Sequence, residues 1–362
     1  MVVGPIARGM GLMAHSEDLR ILDGLEAVRR RPAMYVGSTD SRGLEQLLRN
    51  IVGLSISRYI GGATRVSVDI DDTGWVTVED DGPGVSIDPV PPHEPSQLEL
   101  LFSRLLVGPI TIEHPNSRVP VKHGPLQTTL SVVTALSRQL EIETRRDGVA
   151  YRLAFTGGSP VSSLTKVGST TMRGTVVRYR PDEKIFDEGA RHDLEAIERR
   201  LIDVARLCSP LDVRFQGRSL QQPEGLTSWL REAAPELVKD TLLTAKGTVG
   251  DFDVEVAFAW RPRASASLVR SFVNYDETPE GGSHVRGLTV AVENVIAAKR
   301  ASRVKKGLAG LVGIVHVGTK WPSTQRAVPL DDKNARDAVR DVVTRAINEA
   351  PWWWARLNTA IG

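Results

Sequence analysis

Val76-Thr77-Val78-Glu79-Asp80-Asp81-Gly82-Pro83-Gly84-Val85 completes a pattern that begins ten residues earlier. Val66-Ser67-Val68-Asp69-Ile70 and Trp75-Val76-Thr77-Val78 alternate apolar with polar residues, and Asp71-Asp72-Thr73-Gly74 separates them, so the segment predicts a β-hairpin. Its second strand ends in an acidic corner that carries glycines. An ionised carboxylate there accepts hydrogen bonds and donates none, and Gly82 and Gly84 admit a flat ligand close to the backbone. The exocyclic amine of adenine suits such a corner. An ordinary turn uses the same residue types, so the rest of the chain has to decide between the two.

The chain has 362 residues, long for one core, which predicts two domains. With 41% hydrophobic and 25% charged residues its composition is that of a soluble globular protein. A formal charge of +2 gives no general field towards nucleic acid or membrane, so any basic groove is local. No window approaches the roughly 20 apolar residues of a membrane span, and residues 1–15 have no block suited to a signal peptide. A single cysteine, Cys208, excludes an internal disulfide and reads as a core thiol in a reducing cytoplasm.

Working outward, residues 1–15 hold Gly4, Pro5, Gly9 and Gly11 and read as a flexible arm. Ser16 is an N-cap, and Ile21, Leu22, Leu25 and Val28 share a helical face that Pro32 ends. A second helix is expected over 42–59 and a short one over 97–106. Residues 140–155 read as a hairpin, 174–182 as a strand, 192–208 as a helix and 211–217 as the last strand of a first domain, followed by a linker at 221–226. Strands are expected at 254–260 and 271–274. Near the end stand Trp352, Trp353 and Trp354, which cannot all face one side of a helix and so form a candidate interface.

Leu22-Asp23-Gly24-Leu25-Glu26-Ala27-Val28-Arg29-Arg30-Arg31-Pro32-Ala33-Met34-Tyr35-Val36-Gly37 opens an ordered match that runs through the acidic corner to about Arg340. Over that length the chain resembles the N-terminal ATPase half of the DNA gyrase B protein, a type II topoisomerase component of the GHKL class. The resemblance implies an α+β fold: a GHKL (Bergerat) ATPase-type sandwich over 16–218, then a ribosomal protein S5 domain 2-like transducer domain over 219–362. It implies that Asp81 takes the adenine amine, with Gly82 and Gly84 beside it, Thr175 on the pocket floor and Arg146 at the mouth, where aminocoumarin inhibitors contact gyrase. For Arg146 an exposed hairpin charge is the alternative. The family's arm reaches across a dimer, so a clasp is open here beside a loose tail or a start at Met13.

The catalytic positions depart from the family. With no gap between Gly43-Leu44 and Ile60-Gly61-Gly62, Asn50 stands at the position of the glutamate base and Leu54 at that of the magnesium ligand. Glu45 lies about 140° round the helix and points elsewhere. The family's glycine-rich phosphate loop becomes His123-Gly124-Pro125-Leu126-Gln127-Thr128-Thr129, leaving Gly124, while Thr128 or Thr129 caps the helix. The lysine that reaches the γ-phosphate is Arg326 or Ala327. A base of this kind is worth on the order of 10²–10⁴ in rate.

The expectation is therefore a gyrase-B-like pseudo-ATPase that lacks the cleavage domain and binds ATP or another adenine nucleotide weakly, without Mg2+. It acts by homodimerisation or by pairing with a gyrase or topoisomerase subunit. One alternative is an ATP-dependent type II topoisomerase component with a separate cleavage subunit, and another is a decoy for gyrase inhibitors. Lys299, Arg300, Arg303, Lys305 and Lys306 form either a DNA contact or a solvated helical face.

Overall fold

The hairpin forms as its alternation requires, in a computed structural model that describes residues 20–22, 25–60, 62–89, 95–107, 126–236, 241–261, 266–298, 308–319 and 330–361. The N-terminal arm, Gly124, the basic group Lys299 to Lys306, Arg326 and Ala327 lie outside the described residues. In chain order the first part comprises β1 (Arg20–Leu22), α1 (Leu25–Arg30), α2 (Ala33–Val36), α3 (Ser41–Ile60), β2 (Arg65–Ile70), β3 (Val76–Asp80), α4 (Gln97–Ser103), β4 (Leu105–Val107) and α5 (Leu126–Leu136). It continues with β5 (Ser137–Arg146), β6 (Val149–Thr156), β7 (Ser159–Pro160), β8 (Thr165–Ser169), β9 (Gly174–Pro181), α6 (Leu194–Leu207), β10 (Asp212–Phe215) and β11 (Arg218–Ser219). The second part holds α7 (Leu226–Ala233), β12 (Leu243–Val249), β13 (Phe252–Trp260), β14 (Leu268–Val273), β15 (Asp276–Glu277), α8 (Ser283–Ala298), β16 (Leu311–Thr319), α9 (Lys333–Glu349) and α10 (Pro351–Ile361).

Among the described residues, β2 and β3 sit near the middle of a nine-stranded sheet of order β11-β10-β2-β3-β9-β5-β6-β7, with β8 also on β6. Val68 faces Val78, and Val78 faces Val177 on β9. Val66, Val68, Val76, Val78, Leu140, Ile142, Val177 and Tyr179 all point to one face and are buried, because side chains alternate along a strand. On that face lie α3 and α5; α3 contributes Leu47, Ile51 and Leu54, and α5 contributes Leu130, Val133 and Leu136. The opposite face carries charged cross-strand pairs such as Arg145–Glu79 and Arg152–Glu143. The sheet is apolar on one side and wet on the other, as its largely antiparallel pairing permits; β10 and β2 are its parallel pair.

A five-stranded sheet of order β12-β13-β16-β14-β15 follows. Among the described residues of this sheet only β14 and β16 pair in parallel, and α8 lies between them in sequence, the crossover that parallel neighbours need. Against this sheet α8 and α9 bury Leu288, Val292, Val339 and Val343. Together these layers make the mixed α/β fold expected from the sequence.

Three readings need correction. Ile21 and Leu22 belong to β1, which pairs antiparallel with β4, and not to the first helix; α1 begins only at Leu25. The short helix expected over 97–106 stops at Ser103, where Arg104 turns extended and the chain enters β4. Leu226, expected at the end of a linker, opens α7, and together with Leu220, Trp229 and Leu230 it packs into the first apolar cluster. Of the three tryptophans, Trp353 is fully buried against Phe258 and Trp260 and donates to the Thr241 carbonyl at 2.8 Å; Trp352 is exposed, with Arg356 over its ring.

Candidate functional site

The apolar face of the large sheet carries one polar row. Register pairs Val78 with Val177 and Glu79 with Val176, and continuing it one step sets Asp80 beside Thr175. Thr175 in turn faces Thr144 on β5. All three side chains are at most 2% exposed. They occupy inward positions because Val76, Val78 and Asp80 follow the period of two on β3, as do Thr175, Val177 and Tyr179 on β9.

Thr175 in this row has unspent hydrogen-bonding capacity. Asp80 Oδ1 accepts from the Gly82 amide at 2.9 Å, and Thr144 Oγ1 donates to the Val85 carbonyl at 2.9 Å. Thr175 Oγ1 is buried and has no hydrogen-bond partner among the described residues; neither has the Tyr179 hydroxyl. Burial pushes the Tyr179 phenol well up, so it stays neutral. Buried polar atoms are normally satisfied, and an unsatisfied hydroxyl beside a buried carboxyl marks a place where a ligand or water completes the bonding.

Asp81 is turned away from this row. Its Oδ1 accepts from the amides of Thr64 at 2.6 Å and Arg65 at 2.9 Å, and its Oδ2 takes the Thr64 hydroxyl at 2.5 Å. Burial raises its carboxyl pKa, but the bonds from Thr64 and Arg65 outweigh that and leave it below the ordinary value. The reading of Asp81 as the pocket carboxylate is thereby corrected: Asp81 ties the start of β2 to the end of β3, and Asp80 is the inward acid. The alternation that predicted the hairpin already carried this answer, since two valines at 76 and 78 put residue 80, not 81, on their face.

The glycines serve backbone approach. A Cβ on Gly84, which has φ of 74°, sits 2.8 Å from both the Arg145 carbonyl and Thr144 Oγ1, so the neighbouring strand requires this glycine. Gly82 contributes its amide to Asp80. Arg146 ends β5 and pairs with Asp147 at 3.1 Å and with Asp88 at 3.8 Å. It is part of a surface charge group, and the row Asp80-Thr175-Thr144 does not include it.

Helix α3 lies over β2, β3 and β9. Gln46, Asn50 and Leu54 are successive turns of one stripe, four residues apart. Gln46 Nε2 donates to Asn50 Oδ1 at 2.7 Å, and the two amides and Leu54 are all under 10% exposed. Two neutral amides and an aliphatic group offer no proton acceptor of carboxylate basicity. Leu54 has no donor atom for a metal, and this set does not fit a magnesium ion. Among the described residues no group of three or more His, Cys, Asp or Glu side chains could hold a metal. Glu45 is not on this stripe. Of the positions singled out in the sequence, the structure brings together Thr175, Gly82 and Gly84 near Asp80, with Asn50 and Leu54 on the covering helix; the Asn50 partner Gln46 was not foreseen.

Comparison with known proteins bears on the family and the fold. Residues 225–349 match the DNA gyrase B family model. The chain is 29% identical over 360 residues to the DNA gyrase B protein of Thermotoga maritima, covering 92% of this chain and 56% of that one. It is 34% identical over 309 residues to the B component of DNA topoisomerase 4 of Staphylococcus aureus, covering 80% and 45%. The chain thus spans about half the length of the curated relatives it matches. Among solved structures it resembles the 43K ATPase domain of Thermus thermophilus gyrase B in complex with an aminocoumarin, with TM-score 0.77, 28% identity and coverage of 94% and 95%. The ATP-binding domain of Francisella tularensis topoisomerase IV, bound to a small-molecule inhibitor, follows with TM-score 0.73 and 25% identity, covering 94% and 97%. No helix among the described residues is long and apolar enough to cross a membrane. The chain is homologous to gyrase B and to the B component of topoisomerase IV, carries a DNA gyrase B family domain, and has the fold of the gyrase B ATPase region.

Proposed function

We propose that the chain is a gyrase-B-like pseudo-ATPase: it holds an adenine base on the row Asp80-Thr175-Thr144 without hydrolysing the triphosphate. The observation that carries this is the α3 stripe, where Gln46 and Asn50 bond to each other and Leu54 is buried. In this reading Asp80 accepts the adenine amine and Thr175 Oγ1 supplies the second polar contact, which draws on the buried, unmatched hydroxyl. Asn50 cannot take a proton from water, so turnover falls by about 10²–10⁴ relative to a glutamate at that place. Loss of a metal ligand at Leu54 removes further charge stabilisation.

The relatives are B components of gyrase and topoisomerase 4, and the reading extends to partnership: the chain pairs with a second copy or with a gyrase or topoisomerase subunit. Weak adenine nucleotide binding without Mg2+, a cytoplasmic setting and a division of the chain at residue 218 belong to the same proposal. A second reading, an ATP-hydrolysing topoisomerase component, draws on the likeness to an ATP-binding domain. Phosphate release by the purified protein separates them. The pseudo-ATPase predicts no release above background with Mg-ATP, together with calorimetric binding of adenosine that Asp80→Asn abolishes. Release that disappears in Asp80→Asn establishes the second reading instead.

A further inference from the structure

The edge of the five-stranded sheet meets the helices of the large sheet through a charged hairpin. Strands β14 and β15 form this hairpin, and its tip carries Tyr275 and Asp276. Asp276 Oδ1 accepts from Arg49 on α3 and, at 3.2 Å, from Arg200 on α6, which also donates to the Tyr275 carbonyl. Further down, Arg270 on β14 grips both oxygens of Asp203 on α6, at 3.0 and 2.7 Å, and donates to Glu277 at 2.6 Å. The Arg270 guanidinium lies 5.0 Å from the Phe272 ring and 5.9 Å from that of Trp229.

Arg200 and Asp203 are neighbours on one face of α6, one turn apart and of opposite sign. The hairpin presents the inverse pair, Asp276 and Arg270. Sliding or turning the hairpin against α6 sets like charge against like, a coding that fixes register as well as holding the elements together. The two α6 groups are substantially desolvated, Asp203 being 11% and Arg200 17% exposed in their side chains, while Arg270 is 24% and Asp276 56% exposed; burial, helped by Arg49, pulls the Arg200 pKa down to about 10. Separating the hairpin would take Asp276 from Arg200 and Arg270 from Asp203, which keeps only Arg206 at 3.2 Å on its own helix, and that loss is costly where water is scarce.

We propose that the β14–β15 hairpin is a charge-coded latch that sets the five-stranded sheet at one angle to α3 and α6 and holds the position of α3 through Arg49. Arg49 immediately precedes Asn50, so the helix that covers the polar row cannot shift without releasing Asp276. The latch stands apart from any reading of what the row binds.

Hydrogen exchange measured by mass spectrometry, with Asp276→Asn as the variant, tests this directly. Asp276 is 56% exposed, so its loss leaves the cores intact. Exchange is expected to rise at least tenfold both in residues 268–277 and in residues 46–54, with residues 252–260 unchanged; Arg49→Met gives the same pattern, and molar salt reproduces it in the unmodified protein. Exchange that rises in the hairpin but not in α3, or in neither, overturns the latch. Asp203→Asn is expected to widen the distribution of overall dimensions in small-angle scattering, and an unchanged profile with intact secondary structure counts equally against it.

Discussion

Asp81 collects three donors from Thr64 and Arg65, and removing it leaves two backbone amides at the entry of β2 without their acceptor. Asp81→Ala is expected to cost about 1–3 kcal/mol in urea unfolding while leaving adenosine affinity within twofold. Asp80→Asn should do the reverse: little change in stability, and at least a tenfold loss of adenosine binding by calorimetry, because an amide presents a donor where a carboxylate accepts. At this scale the sequence was half legible. It located the acidic corner, and the alternation Val76, Val78 selected Asp80, but the family motif drew attention to the acid beside the glycine. That Gln46 bonds Asn50 follows from spacing of four on a helix; nothing in the sequence showed that both amides turn inward.

Elements depend on close backbone contacts that single positions enforce. Gly174 has φ of 113°, and a Cβ there meets the Asp80 carbonyl oxygen at 1.8 Å, where β9 comes against the end of β3. Gly174→Ala is therefore expected to destabilise the fold by more than about 3 kcal/mol, read as a loss of cooperative thermal unfolding or of soluble yield, and to displace the polar row with it. Long periodic elements were legible: α3, α6, the two hairpins and β13 lie within a few residues of their expected bounds. What failed were three-residue pieces. Arg20–Leu22 is a strand because Leu105–Val107 lies beside it, a contact about 85 residues away that local periodicity cannot encode.

For the molecule as a whole, acid is the expected weak point. His284 is fully buried between α8 and its sheet with Thr278 Oγ1 at 3.1 Å from Nε2, and burial, with His316 nearby, pushes its imidazole down to about 4. Its folded value lies below the ordinary 6.5, so the unfolded chain binds the extra proton; stability is complete above about pH 6.5 and falls as pH drops towards 4. Urea unfolding at pH 5 should show about 2 kcal/mol less stability than at pH 7 from this group, and His284→Gln should flatten that dependence. His192, also held neutral by burial with a value of about 4, adds in the same direction. Two domains were the expectation from length and pattern. The latch was not, because its arginines and carboxylates lie on elements from both sheets and each reads locally as a solvated charge.

The seat of α10 has an optical consequence. The rings of Trp353 and Trp260 lie 6.4 Å apart in a dry setting, while Trp352, one residue before Trp353, faces solvent. Rings at that separation share excitation before they emit, which scrambles the polarisation of their short-wavelength light, and the wet indole glows further to the red. Lifting the last helix off its sheet would thus shift both the colour and the anisotropy of ultraviolet-excited emission, giving a label-free gauge of whether that end of the protein is docked.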